Sequence, residues 1–209
     1  IISNTKRSAE TSLVLGALAA QKLTEYELRG EIDHIPQVIK ALRPQLNATT
    51  IPSFEKAKPN SNIIPVIPGK IIETEKNFHF LDCLKTNGEF DPIKMQPSAI
   101  YVNKHFEKNP HILRNIALNF LFEGRFPLTS FDNTIFENYS YLVAAIACEK
   151  LMAIGAVCRD QGITDGIYIA MSFIVRSLYH KLHFKPKQVI DILKENGCSS
   201  PSYLAMMLQ

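Results

Sequence analysis

The chain has 209 residues, 46% of them hydrophobic and 21% charged, which is enough material for one or two domains with a sizeable buried core. Its formal net charge of +3 is spread along the chain rather than clustered, which argues against nucleic acid or anionic lipid as a charge-driven partner. The longest apolar stretch, 139–157, is interrupted by Glu149 and Lys150, so no unbroken run reaches the roughly 18 residues of a bilayer span.

The first residues, Ile1 to Arg7, hold neither an initiating methionine nor the layout of a signal peptide. The chain is therefore expected to be a piece of a longer protein. From Ser8 the pattern turns helical. Ser8 can cap, Leu13, Ala17, Ala20 and Leu23 recur at helical spacing, and Gly30 marks the stop. The small residues at 16–20 allow another helix to approach closely. A second helix over 34–46 carries the apolar stripe Ile35, Val38, Ile39, Leu42 and Leu46, with Asp33 and Pro36 at its start. A link this short folds the pair into an antiparallel hairpin.

Between 47 and 97 the character changes. Six prolines (Pro52, Pro59, Pro65, Pro68, Pro92 and Pro97) deny the backbone a long regular helix, so an irregular surface excursion is predicted. Residues 47–70 are expected to open most readily, and 63–67 to lie in extended form against the helices. For 70–84 periodicity does not choose between helix and strand.

After Pro97 helices return, near 98–106, 110–123, 134–160, 165–182, 186–196 and 201–208. Asp132 or Asn133 is expected to open the longest one. Its stripe runs through Phe136, Tyr139, Leu142, Ile146, Lys150, Ile154 and Val157. Start and stop signals agree with periodicity at nearly every boundary. The fold class read from the chain is all-α, a multi-helix bundle with one irregular excursion. Its parts are a hairpin over 1–46, a connection over 47–97 and a bundle over 98–209, packed as one compact unit.

Four scattered cysteines (Cys83, Cys148, Cys158 and Cys198) contain no C-x-x-C pair and read as free thiols acting as small hydrophobes. That usage suits a reducing, cytoplasmic compartment. The six histidines form no metal-ligand motif; His180 and His183 share a helix face, but a zinc site would need further ligands. No nucleophile elbow and no glycine-rich strand-to-helix turn is present. Glu137, Glu149, Asp191 and Glu195 fall on faces read as polar and solvated. Arg114 and Arg176 interrupt apolar helices, where an arginine usually binds a carboxylate or carbonyls across a helix interface and otherwise contacts a ligand. Aromatics crowd 120–141, either as core at a helix corner or as a docking patch flanked by Arg114 and Arg125.

Two stretches, HILRNIALNFLFEGRFPL (111–128) and VIDILKENGCSSPSYLAMML (189–208), resemble the C-terminal half of the flagellin lysine-N-methylases. The opening SAETSLVLG (8–16) is similar to that family's segment after its cysteine-rich region. Arg114 stands where the family usually has Glu, and Ile116 where it has Tyr. The resemblance implies methyl transfer from S-adenosylmethionine to lysine ε-amines of flagellin, with an iron–sulfur-like cysteine cluster lying N-terminal to this chain. It implies a scaffold or substrate-recognition role here, without catalytic or metal-ligating residues and without a cofactor bound to this part. Arg114, Arg125, Tyr139, Arg176 and His180 are its candidate substrate contacts. A non-catalytic helical adaptor or chaperone-like module is the alternative that the residues leave open.

Overall fold

A computed structural model of the chain describes residues 7–48, 66–73, 79–123, 126, 133–159, 168, 172 and 185–208. Helix α1 spans Ala9–Leu28 and α2 spans Ile35–Ala48, joined by a 3-10 turn at Ile32–His34. Helix α3 spans Val66–Glu73, and a 3-10 segment follows at His79–Leu84. A small antiparallel hairpin pairs β1 (Lys85–Thr86) with β2 (Glu89–Phe90). Then come α4 (Pro92–Lys108), α5 (His111–Glu123), α6 (Ile135–Arg159), α7 (Pro186–Glu195) and α8 (Pro201–Met207). The fold is all-α.

Helix α6 is the hub. From Ile135 to Val157 every residue but Glu137 is buried, and α1, α3, α4, α5, α7, α8 and the 3-10 segment all pack on it. A helix apolar all round must be surrounded by protein or lipid. By length and apolarity α6 could cross a bilayer, its two central charges notwithstanding, yet 94% of its most apolar stretch is buried inside the protein. It is the core helix. One hydrophobic cluster draws on α1, α3, α4 and α6 through α8, so residues from all three predicted segments share a core.

The contact of α1 with α6 depends on one close approach. Tyr139 on α6 donates its hydroxyl to the Leu13 carbonyl at 3.0 Å, and its ring lies over Gly16. A Cβ at residue 16 would stand 1.9 Å from the tyrosine oxygen, so the position admits only glycine without rearrangement. The N-terminus of α6 is capped twice. Thr134 and Glu137 form a reciprocal capping box: the Thr134 amide donates to Glu137 at 2.8 Å and the Glu137 amide to Thr134 Oγ1 at 3.3 Å. The next two amides donate to α1 side chains, Ile135 to Glu27 and Phe136 to Thr24, both at 2.8 Å. The cap is thus Thr134 rather than the expected Asp132 or Asn133.

The Pro-rich segment departs from expectation. Residues 49–65 lie outside those described, but Val66 and Ile67 begin a helix rather than an extended strap. Pro68 is the third residue of α3, where its missing N–H would have found no helical partner anyway. Helix α4 starts at Pro92, six residues earlier than predicted, and runs through Pro97. The bond lost there belonged to the carbonyl of Ile93, a residue 80% exposed, so water can take its place. The buried face of α4, Met95, Ser98, Val102 and Phe106, continues past the proline undisturbed. Between β1 and β2, Asn87 and Gly88 take φ of 53° and 84°, the two positive angles a two-residue hairpin turn requires. Of the helix expected over 165–182, only Tyr168 and Ser172 are among the described residues, and both are helical.

Candidate functional site

Helix α2 is amphipathic, but its apolar stripe is only half used. Ile35 and Leu46 at its two ends are buried, Val38 and Leu42 between them are half-buried, and Ile39 is 41% exposed. Between α1 and α2 lies an open groove of about 450 Å³, lined by Tyr26, Val38, Ala41 and Leu42 together with the polar Lys22, His34, Gln37 and Gln45. Lys22 and Arg29 each sit 6.0 Å from the Tyr26 ring centroid, an arrangement that draws positive charge to one rim of the groove. An open trough with an apolar strip along Tyr26, Val38 and Leu42 and polar groups beside it suits an amphipathic helical or extended peptide segment.

The interior charges do something else. Lys150 lies buried on α6 and donates to the Leu208 carbonyl at the end of α8 at 2.6 Å, with Glu10 of α1 at 3.6 Å. Burial pulls its ammonium below the ordinary lysine range, against the attraction of Glu10 and Glu107. A cation at a helix C-terminus is favoured by the helix dipole, so Lys150 ties α1, α6 and α8 together. Glu149 beside it is 0% exposed, and neither carboxylate oxygen has a hydrogen-bond partner among the described residues. Burial pushes its carboxyl up to about 8, so it is held as the neutral acid at pH 7. The expectation of a solvated Glu149 is corrected: α6 has no solvated face. At the start of α6, Glu137 pairs with Lys194 of α7 at 2.6 Å. Burial opposes its ionisation, and the hydrogen bonds from Lys194 and Thr134 prevail, holding the carboxyl below its usual range.

Of the five candidate substrate contacts, two fall among the described residues. Arg114 is buried and donates to the Arg7 carbonyl at 2.9 Å, while Arg7 in turn donates to the Leu46 carbonyl at 2.8 Å, linking α5 to the end of α2. Tyr139 is sealed against α1 as described. Both point their polar atoms inward at main-chain carbonyls rather than at a surface. Arg125, Arg176 and His180 lie outside the described residues. Of the two readings of the aromatic corner, the described residues follow core packing: Phe120 packs on Tyr141 with centroids 5.5 Å apart and Phe126 on Tyr139 at 5.7 Å, while Phe136, Tyr139 and Tyr141 are buried. Phe122, 78% exposed, points outward from α5.

The cysteines do not suit a metal cluster. Cys148 and Cys198 are buried apart, with contacts to the carbonyls of Pro68 and Asn196 respectively, and burial raises both thiols above their ordinary range. Burial likewise pushes Cys83 up to about 12. Among the described residues no three potential ligands converge. Neither do they supply the strand-to-helix glycine turn of a doubly wound nucleotide site.

The family model for the FliB lysine N-methylase C-terminal domain matches residues 1–207. The chain belongs to that family. No curated protein and no solved structure matches it. The all-α fold is that of a FliB C-terminal domain family member, and the α1–α2 groove is a feature of its surface that sequence reasoning did not single out. Lys22, Tyr26 and His34 stand on no motif; the signal was the stripe on α2, which says that a face is apolar but not how much of it is covered.

Proposed function

We propose that this chain is the substrate-recognition and scaffold part of a protein-lysine methyltransferase, and that the full-length protein transfers methyl groups from S-adenosylmethionine to lysine ε-amines of flagellin in the cytoplasm. In this reading the cofactor and an iron–sulfur cluster bind elsewhere in the protein, a reading supported by the described residues, which bring no three potential metal ligands together and hold no strand-to-helix glycine turn. The observation that carries the recognition role is the uncovered trough between α1 and α2. Its floor of Tyr26, Val38 and Leu42 can take the apolar face of a flagellin helix, and Lys22 and His34 can fix register at the rim. This part by itself is expected to leave flagellin unmethylated.

Ala41 is exposed and lines the trough, so Ala41→Glu places a charge there without touching the core. In the full-length methylase it is expected to reduce flagellin methylation about tenfold, corresponding to roughly 1.4 kcal/mol of lost recognition, with helical content unchanged. Phe122→Ser, on the outward side of α5, is expected to leave methylation intact. The reverse pattern would move recognition to the aromatic corner. An adaptor without chemistry would require that the full-length protein bind flagellin and methylate none of it.

A further inference from the structure

Cys83 lies in the 3-10 segment and Cys158 in the last turn of α6, 75 residues apart in sequence. Their side chains interlock across that interface. Cys83 Sγ donates to the Gly155 carbonyl at 3.5 Å, three residues before Cys158, and Cys158 Sγ donates to the Cys83 carbonyl at 3.7 Å. The two thiols are also within hydrogen-bonding reach of each other. Both are half-buried rather than sealed, unlike Cys148 and Cys198, so a small solute can reach them. Two partly buried thiols on separate elements, each reaching across to the other's segment, differ from the buried Cys148 and Cys198.

We propose that Cys83 and Cys158 form a dithiol site that a hydroperoxide oxidises to an intramolecular disulfide, locking the 3-10 segment to the end of α6. Two thiols and one hydrogen peroxide yield one disulfide and two waters. The Cys158 sulfur, its proton removed, attacks one peroxide oxygen; the O–O bond breaks, the first water leaves, and Cys158 carries a sulfenic acid. The Cys83 sulfur then attacks the sulfenic sulfur, its proton goes to the departing hydroxyl, and the second water leaves. The peroxide gains two electrons, one from each sulfur. Burial first, and the neighbouring Cys158 second, hold the Cys83 thiol up at about 12, which opposes its attack, so the later step depends on a partner already held beside it. The closed loop is long, so the cross-link restricts the unfolded chain and raises the unfolding temperature.

The test uses the whole 209-residue chain, treated with one equivalent of hydrogen peroxide and then unfolded in an alkylating agent. Of the four thiols, two are expected to be lost, both in one Cys83–Cys158 cross-linked peptide, with the intact chain lighter by about 2 Da and dithiothreitol restoring all four. Cys158→Ala is expected to keep its three alkylatable thiols at that dose, whereas Cys83→Ala is expected to stop at a Cys158 sulfenic acid that dimedone captures, leaving two. If either variant fails to fold, the peptide map of the unmodified sequence decides alone. Four thiols remaining, a cross-link through Cys148 or Cys198, or losses appearing as sulfinic acid or intermolecular dimers would each overturn the proposal.

Discussion

Tyr139 and Gly16 set the separation of α1 from α6. Gly16→Ala forces the added methyl into the tyrosine ring and hydroxyl, and is expected to destabilise the fold by about 1–3 kcal/mol in urea denaturation. Tyr139→Phe keeps the ring and removes only the bond to Leu13, so about 0.5–1.5 kcal/mol is expected. Glu149 adds a dependence on pH. Its carboxyl is raised from an ordinary 4.5 to about 8 by burial, so between those values the folded state holds a proton that the unfolded chain releases. The stability it allows is therefore full below about pH 4.5 and declines as pH rises toward 8. Glu149→Gln is expected to flatten that decline: unfolding midpoints near wild type at pH 4.5 and above wild type at pH 8.5. Equal midpoints at both pH values would show that Glu149 is solvated. The sequence could have warned of this burial, because apart from Asn138, Glu149 and Lys150 the residues on every side of α6 from 138 to 157 are aromatic, aliphatic or small. Reading Glu149 by its charge rather than by its helix put it on the wrong face. Gly16, by contrast, was legible: a run of small residues means close approach, though the partner, Tyr139, lies more than a hundred residues away.

At the scale of elements, the clearest feature is that α6 is finished by α1. Glu27 and Thr24 accept the amides of Ile135 and Phe136, and Thr134 with Glu137 closes the remaining positions. A carboxylate at a helix N-terminus gains from the helix dipole besides its hydrogen bond. Glu27→Ala is therefore expected to cost roughly 0.5–2 kcal/mol, and Thr134→Ala a similar amount, read from denaturant midpoints. A cap made by local spacing can be read in a chain, and Thr134-x-x-Glu137 was there to be read; a cap supplied from another helix cannot. The prolines teach the same distinction. Pro68 and Pro92 argued against helix where they in fact open one, because the first turn has no use for their amides. Pro97 is tolerated because its carbonyl partner faces solvent, a matter of burial that periodicity does not reveal. Asn87-Gly88 was a hairpin signal obscured by its proline-rich surroundings.

For the whole molecule, one core centred on α6 leaves a single half-covered amphipathic surface among the described helices of the N-terminal hairpin. The all-α class and most helix positions follow from local periodicity and caps, and these are physical constraints that act within a few residues. The groove was not legible, since Val38, Ile39 and Leu42 look like any core-facing stripe until α1 is seen to stop short of covering them. Arg114, singled out as a charge within an apolar helix, and Tyr139, singled out by the family resemblance, make their hydrogen bonds inside the molecule. Titrating monomeric flagellin into the 209-residue chain by calorimetry tests the recognition role most directly. Saturable binding is expected, weakened about tenfold or more by Ala41→Glu and unaffected by Phe122→Ser. No binding, or binding that Ala41→Glu leaves unchanged, would contradict the account.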